Sequence, residues 1–402
     1  MILRRSLLSC CITLILCASV AFAQAQGNLP RLQIKNWNPA PKLSTNAPVN
    51  AGTGLPLFTY AVKSSRDHNN YSGAIVGNNP FNHGGGAVSV HAQIVPIVIL
   101  TRRVATRVSK NGIISTQAGE SVFDPTQADN ACLTAPNNVP LRLFQQSPIF
   151  KSTDFSFGGT NVGTTQYIDA FQRAQFWDII NRDTYHMKLG PITTLDPVVI
   201  IVPAKSGLSL PPALFGTCGP MAIVDINLFD SIVTNTILPT LIAKGVNPGT
   251  FPIFQLYNVG LSIGDPTNLN NCCALGYHSF AGAFQTYSPS DFDTTGLFGP
   301  LAMDTAVSSH EVGEWANDPT GFNPTPAWGN TGQVVGCQNN LEVGDPLTGT
   351  NIPNVVMPNG FSYHLQELAF FSWFYSARTL GLNGWFSNNG TFLSDAGPPC
   401  AP

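Results

Sequence analysis

The chain has 402 residues, with 19 Lys or Arg against 22 Asp or Glu and a formal charge of −3. Only 10% of positions are charged, far below the roughly 25% of an average soluble protein, while 43% are hydrophobic; that excludes a highly charged disordered chain. The 37 Gly and 32 Pro follow no G-X-Y period, which excludes collagen, and the absence of any basic run leaves no electrostatic footprint for nucleic acid.

Taken in chain order, the first element is a secretory signal over residues 1–23. Arg4 and Arg5 open it, an apolar stretch fills 7–20, and Ala21-Phe22-Ala23 supplies a small-x-small cleavage site. The mature chain is therefore expected outside the cytoplasm, secreted or periplasmic. No later run reaches about 18 uninterrupted apolar residues, so no further membrane span is expected. Residues 24–85 are rich in Asn, Pro, Gly and Ser and predict an extended lead-in or a propeptide laid over the rest.

From residue 86 onward strand and helix signals alternate. A β-branched run predicts a strand over 87–100. Tyr167, Ile168, Phe171, Ala174 and Trp177 recur at helical spacing and predict a helix over 167–187. A short buried strand is expected at 197–202, a helix over 227–244 bent near Pro239, and a strand over 251–259. Two further helices are expected over 304–317 and 365–379. With no repeat and no charged linker, residues 86–402 read as one α+β domain with long loops, large enough to bury a sizeable core.

Six cysteines remain after signal removal: Cys132, Cys218, Cys272, Cys273, Cys337 and Cys400. In an exported protein they suggest up to three disulfides. The neighbours Cys272 and Cys273 are expected to bond to two different partners, because a bridge between adjacent cysteines is strained.

The strongest chemical signal lies in the 304–317 helix. His310 and Glu314 are four apart and share one face, Asp318 lies a turn further on, and Glu311 sits about 100° round from His310. The helix is otherwise apolar. Burying an imidazole and two carboxylates without partners costs several kcal/mol, so these groups should be paired or bind a cation. Downstream, the segment 336–346 offers Glu342 and Asp345. Glu342, flanked by Leu341 and Val343 and near a disulfide at Cys337, is the preferred third ligand. Asp345, between Gly344 and Pro346, is assigned to a turn, and it and Asp318 stand as substitutes.

This H-E-x-x-E pattern resembles the zincin metallopeptidases, whose H-E-x-x-H helix supplies two zinc ligands and a general base. The resemblance implies a zincin-like domain, His310 and Glu314 as ligands, and Glu311 as the base taking a proton from zinc-bound water in amide hydrolysis. Here the second histidine is Glu314, and an oxygen-rich donor set also suits Ca²⁺ or Mn²⁺. The order H-E-x-x-E, D-P, Trp328, E-x-G-D and Y-x-x-Q over residues 250–375 is also similar to a set of secreted proteins to which the plant EXORDIUM-like extracellular proteins look distantly related. That likeness implies that Tyr363 or His364 faces the metal and stabilises an oxyanion. The substrate so implied is an extracellular peptide or protein.

Two other readings stand beside it. In one, the same site is structural or vestigial in a non-catalytic extracellular or cell-surface protein. In the other, Gly260-Leu261-Ser262-Ile263-Gly264 is a G-x-S-x-G elbow, His83-Gly84-Gly85-Gly86 an oxyanion loop, and Ser262, Asp345 and His364 a serine esterase triad. Against the esterase, Asp265-Pro266 follows the serine with turn composition where an elbow needs a helix. His278, just after the cysteine pair, either lines the metal cleft or plays a structural role. The aromatic run 370–375 is expected in the core.

Overall fold

A run rich in β-branched and apolar residues, Ala87–Val108, forms a 22-residue strand that is the spine of the protein. In the computed structural model, which describes residues 33–35, 54–82, 86–282 and 284–401, this strand is the hub of a ten-stranded mixed sheet. The strand Thr250–Tyr257 lies parallel to it and Gln285–Phe292 parallel to that in turn, while Ile114–Phe123 folds back antiparallel on its far half. Thr250–Tyr257 is buried along its whole length, so its sequence does not alternate polar with apolar residues. The architecture is α+β, as expected. Residues 1–23, expected as a signal, and His83, Gly84 and Gly85 lie outside the described residues.

Each face of the sheet carries its own core. One is built from Tyr167, Phe171, Phe251, Trp315 and the aromatic run 370–375; the other from Val95, Phe254, Phe229 and Leu241. The helix Ile226–Lys244 is long and apolar enough to cross a membrane, but Phe229, Val233, Ile237 and Leu241 pack it into the second core. It widens into a π-turn over Val233–Ile237, just before Pro239, whose missing N–H cannot close a regular turn.

Several expectations are corrected. The spine strand runs to Val108, because its outer half is stitched to Ile114–Phe123. The helix from Tyr167 stops at Gln175, where the Asp178 amide turns to the carbonyl of Leu380 and an Asn181-led turn follows. The helix expected over 365–379 shrinks to Phe371–Tyr375. Upstream of it the backbone is extended, its amides taken by Ser309 Oγ, Thr350, Asn388 and Val343. In Val198–Ile201, Val199 and Ile201 are exposed, so that strand is only half buried. Tyr257 and Val259 belong to different strands, parted by Asn258 at φ 53°.

Within the segment expected as a lead-in, Leu57–Lys63 and Asn70–Val76 form an antiparallel hairpin. Its Phe58, Tyr60, Ile75 and Val76 belong to the first core. Asn323 ties the hairpin to the loop after the 306–317 helix by accepting from the Ala74 amide and donating to its carbonyl. The cysteines pair Cys132–Cys218, Cys272–Cys273 and Cys337–Cys400. The adjacent cysteines thus pair with each other and not with separate partners: the other four are already matched.

Candidate metal centre

The helix Ala306–Asn317 is buried along its whole length, all twelve residues of it. One side packs Trp315 flat on Phe251, ring centroids 3.8 Å apart, with the indole N–H donating to Thr286 Oγ1 at 3.1 Å. The Ser308 hydroxyl meets that of Ser290 at 2.9 Å. On a further side Gly313 lies so close to Leu368 that an added Cβ would stand 2.3 Å from its methyl carbon. These contacts fix the helix on the strand Gln285–Phe292, and its polar residues have no route to bulk water except a cleft at the remaining side.

That cleft, which opens to solvent, is lined by His278, His310, Glu311, Glu314, Asp345 and Gln366 among apolar neighbours such as Leu275 and Val307. His310 Nε2 lies 3.1 Å from Glu314 Oε2 and 3.5 Å from Asp345 Oδ1. Its other nitrogen, Nδ1, is 3.1 Å from Gln366 Oε1. The Gln366 amide nitrogen donates to Gly344 O at 2.6 Å, so the amide oxygen must accept from Nδ1–H, and Nε2 is the nitrogen turned toward the carboxylates. A ligating histidine is ordinarily oriented by such an outer hydrogen bond.

Glu314 is oriented as firmly. Its Oε1 accepts the backbone amides of Gly344 at 3.0 Å and Asp345 at 3.1 Å, which turns Oε2 toward both histidines. Gly344 is needed for its lack of a side chain: a Cβ there would lie 2.6 Å from the His310 ring. Asp345 begins a short 3₁₀ turn, as expected, and also reaches the site, with Gln338 donating to its Oδ2 at 2.8 Å and Gln333 to its Oδ1.

His278 supplies a second imidazole. Its Nε2 donates to the Asp318 carbonyl at 2.9 Å, and its Nδ1 lies 3.6 Å from both Glu311 Oε2 and Glu314 Oε2. Glu342 faces this histidine, Oε2 to Nε2 at 3.8 Å, and not His310. Two groups of possible ligands therefore exist, His310 with Glu314 and Asp345, and His278 with Glu314 and Glu342; in each, one donor atom per residue lies within 4.8 Å of the others. The expected trio His310, Glu314 and Glu342 is thus split, and Asp345 takes the place next to His310. Asp318 joins neither group: its carboxylate accepts the amides of Phe322 at 3.0 Å and Asn323 at 2.7 Å and closes the loop after the helix.

The electrostatics are severe. Burial alone would lower both imidazoles, yet the surrounding carboxylates outweigh it and raise His310 and His278 well above the ordinary range. Burial pushes Glu314 up, but His310 and His278 hold it well below the usual carboxylate range. Glu342, buried and beside Glu314, is raised well above it, and burial raises Glu311 and Asp345 too. Among the described residues no lysine or arginine is ion-paired with Glu311, Glu314 or Glu342. The site has more negative groups than its imidazoles can neutralise, so the excess must be met by protons or by a cation.

A tetrahedral Zn²⁺ with bonds near 2.0 Å holds its ligand atoms about 3.3 Å apart. The 3.1 and 3.5 Å separations around His310 Nε2 match that spacing before any cation draws them in. The donor chemistry fits a divalent ion.

The two residues expected to stabilise an oxyanion do not reach the cleft. Tyr363 donates to Leu143 O at 2.8 Å and accepts from Asn359, and His364 Nδ1 pairs with Asp304 at 2.6 Å. The esterase triad is not assembled either. Ser262 is buried with its hydroxyl donating to Gly264 O at 2.9 Å, Asp345 belongs to the metal groups, and His364 to Asp304. Gln366 and Gly344 carry roles that the sequence marks only by their places in Y-x-x-Q and E-x-G-D. Comparison with protein families, with characterised proteins and with solved structures finds no match for this chain.

Proposed function

We propose that the chain is a secreted, metal-dependent hydrolase of peptide bonds, with His310, Glu314 and Asp345 as the primary ligands and Glu311 as the proton-handling base. The observation that carries this reading is the cleft-facing trio around His310 Nε2, at 3.1 and 3.5 Å, backed by an outer shell of Gln366, Gly344 and Gln338. Zn²⁺ is the first candidate and Mn²⁺ the second, since both accept imidazole with carboxylates. Ca²⁺ wants six to eight oxygens, and the trio offers fewer.

A divalent ion held there would polarise a carbonyl and acidify water. Glu311 lines the same cleft one residue from His310, and its burial raises the proton affinity of the carboxylate, which suits a group that must accept a proton and return it. The apolar wall at Leu275, Leu301 and Val307 would seat a side chain of the substrate. The three cysteine pairs favour an oxidising compartment. The test is a pairing of metal content with peptidase assays: Glu311→Gln should keep the metal and lose turnover.

A structural role for the ion in a non-catalytic extracellular protein is the second reading. What favours it is depth: Asp345 is 1% and Glu314 4% exposed. Full metal retention with no hydrolysis of a diverse peptide library would decide for it.

A further inference from the structure

The two ligand groups share one residue, and that sharing is the observation with the furthest consequence. Glu314 Oε2 lies 3.1 Å from His310 Nε2 on one side and 3.6 Å from His278 Nδ1 on the other. A carboxylate between two imidazoles that turn their free nitrogens toward it is the arrangement of a bridging ligand.

The second group has the attributes of a built site. The His278 Nε2–H is committed to the Asp318 carbonyl at 2.9 Å, so Nδ1 is the nitrogen turned toward Glu311 and Glu314, 3.6 Å from each. Glu342 is 1% exposed; Asn340 donates to its Oε1 at 2.6 Å, while its Oε2 has no hydrogen-bond partner among the described residues. A buried carboxylate oxygen left without a donor costs free energy unless a proton or a cation meets it. The His278 Nε2 that approaches it, at 3.8 Å, already donates to the Asp318 carbonyl.

We infer that the site is dinuclear: a second divalent cation is held by His278, Glu314 and Glu342, with Glu314 bridging it to the first. This rests on the proposed metal reading and deepens it. Paired sites of this kind hold their ions roughly 3.5–4 Å apart, a spacing that one bridging carboxylate spans. The second cation would give the Glu342 oxygen its missing partner and offset negative charge that a single ion leaves unmet. It would also lie on the Glu311 side of the site, since His278 Nδ1 is 3.6 Å from Glu311 Oε2.

Metal counting on the full mature chain tests this. After metal removal, reloading with Zn²⁺ and gel filtration, wild type should carry two ions per chain, and His278→Ala and Glu342→Gln one each. Reloading wild type with Mn²⁺ should give the broadened, exchange-coupled paramagnetic resonance signal of a manganese pair, a readout that needs no variant to fold. One ion per chain in wild type, with an isolated six-line manganese signal, overturns the second site and leaves the first standing. No bound metal in folded wild type overturns both.

Discussion

Gln366 Oε1 accepts the Nδ1 proton of His310 at 3.1 Å while its own amide nitrogen is spent on Gly344 O at 2.6 Å. The pair sets which imidazole nitrogen faces the carboxylates, so Gln366 would act on a bound metal without touching it. Gln366→Leu should weaken metal affinity by about 10–100-fold, measured by competition with a chromogenic chelator. The fold should survive, as judged by an unchanged circular dichroism spectrum. An affinity equal to wild type would remove Gln366 from the site.

Gly344 offers a steric test of the same geometry. A Cβ at this position would stand 2.6 Å from the His310 ring, so Gly344→Ala must displace the imidazole or the loop. The expected outcome is a loss of metal together with about 1–3 kcal/mol of destabilisation, read by urea unfolding of the metal-loaded protein.

The stacked pair of Phe251 and Trp315 anchors the site helix to the sheet. Trp315→Ala should cost about 3–5 kcal/mol by opening a cavity in the first core. Trp315→Phe keeps a ring on Phe251 but loses the hydrogen bond to Thr286 and part of the indole volume, and should cost less, about 1–3 kcal/mol. Chemical denaturation should rank the two variants in that order.

Away from the site, burial raises the Asp293 carboxyl to about 6, with Thr295 donors and Asp304 as smaller influences. A folded-state value above the unfolded one means that the native protein binds the extra proton. The contribution of this group is therefore full below about pH 4 and is lost as the pH rises through 6. Asp293→Asn should flatten the fall in stability between pH 4 and 7 by a few kcal/mol, seen as a smaller drop in melting temperature than wild type over that window. A parallel pH profile in the two proteins would contradict it.

The Cys132–Cys218 bridge closes a loop with a sequence separation of 86. Removing it with the double change Cys132→Ser and Cys218→Ser should lower stability by about 2–4 kcal/mol, with no change in metal content.

Much of the site was legible in the chain before any coordinates. Few ionisable groups occur at all, so His310, Glu311 and Glu314 on an apolar helix announce their chemistry, and E-x-G-D announces the downstream carboxylates. What periodicity could not supply was the partition. Glu342 and Asp345 lie three apart in a loop, and which of them meets His310 is set by the Glu314 bonds to the amides of Gly344 and Asp345, a backbone detail with no sequence signature. His278 is distant along the chain and reaches the site through the parallel pairing of Thr250–Tyr257 with Gln285–Phe292 and the crossing of residue 276 onto Ser290. The helix expected over 365–379 failed for a related reason. Residues 366–369 have helical composition, but their amides bond to the site helix and its neighbouring loops. Tertiary pairing there overrides local propensity.

The measurement that bears most directly on the account is the metal content of the purified mature protein, by mass spectrometry of the digested sample, for wild type and Glu314→Gln. Glu314 is the one residue common to both ligand groups. The account predicts stoichiometric Zn²⁺ or Mn²⁺ in wild type and near-complete loss in Glu314→Gln, with both proteins folded. A wild type that folds without metal and binds none on reloading, or a Glu314→Gln variant that retains the full complement, would contradict it.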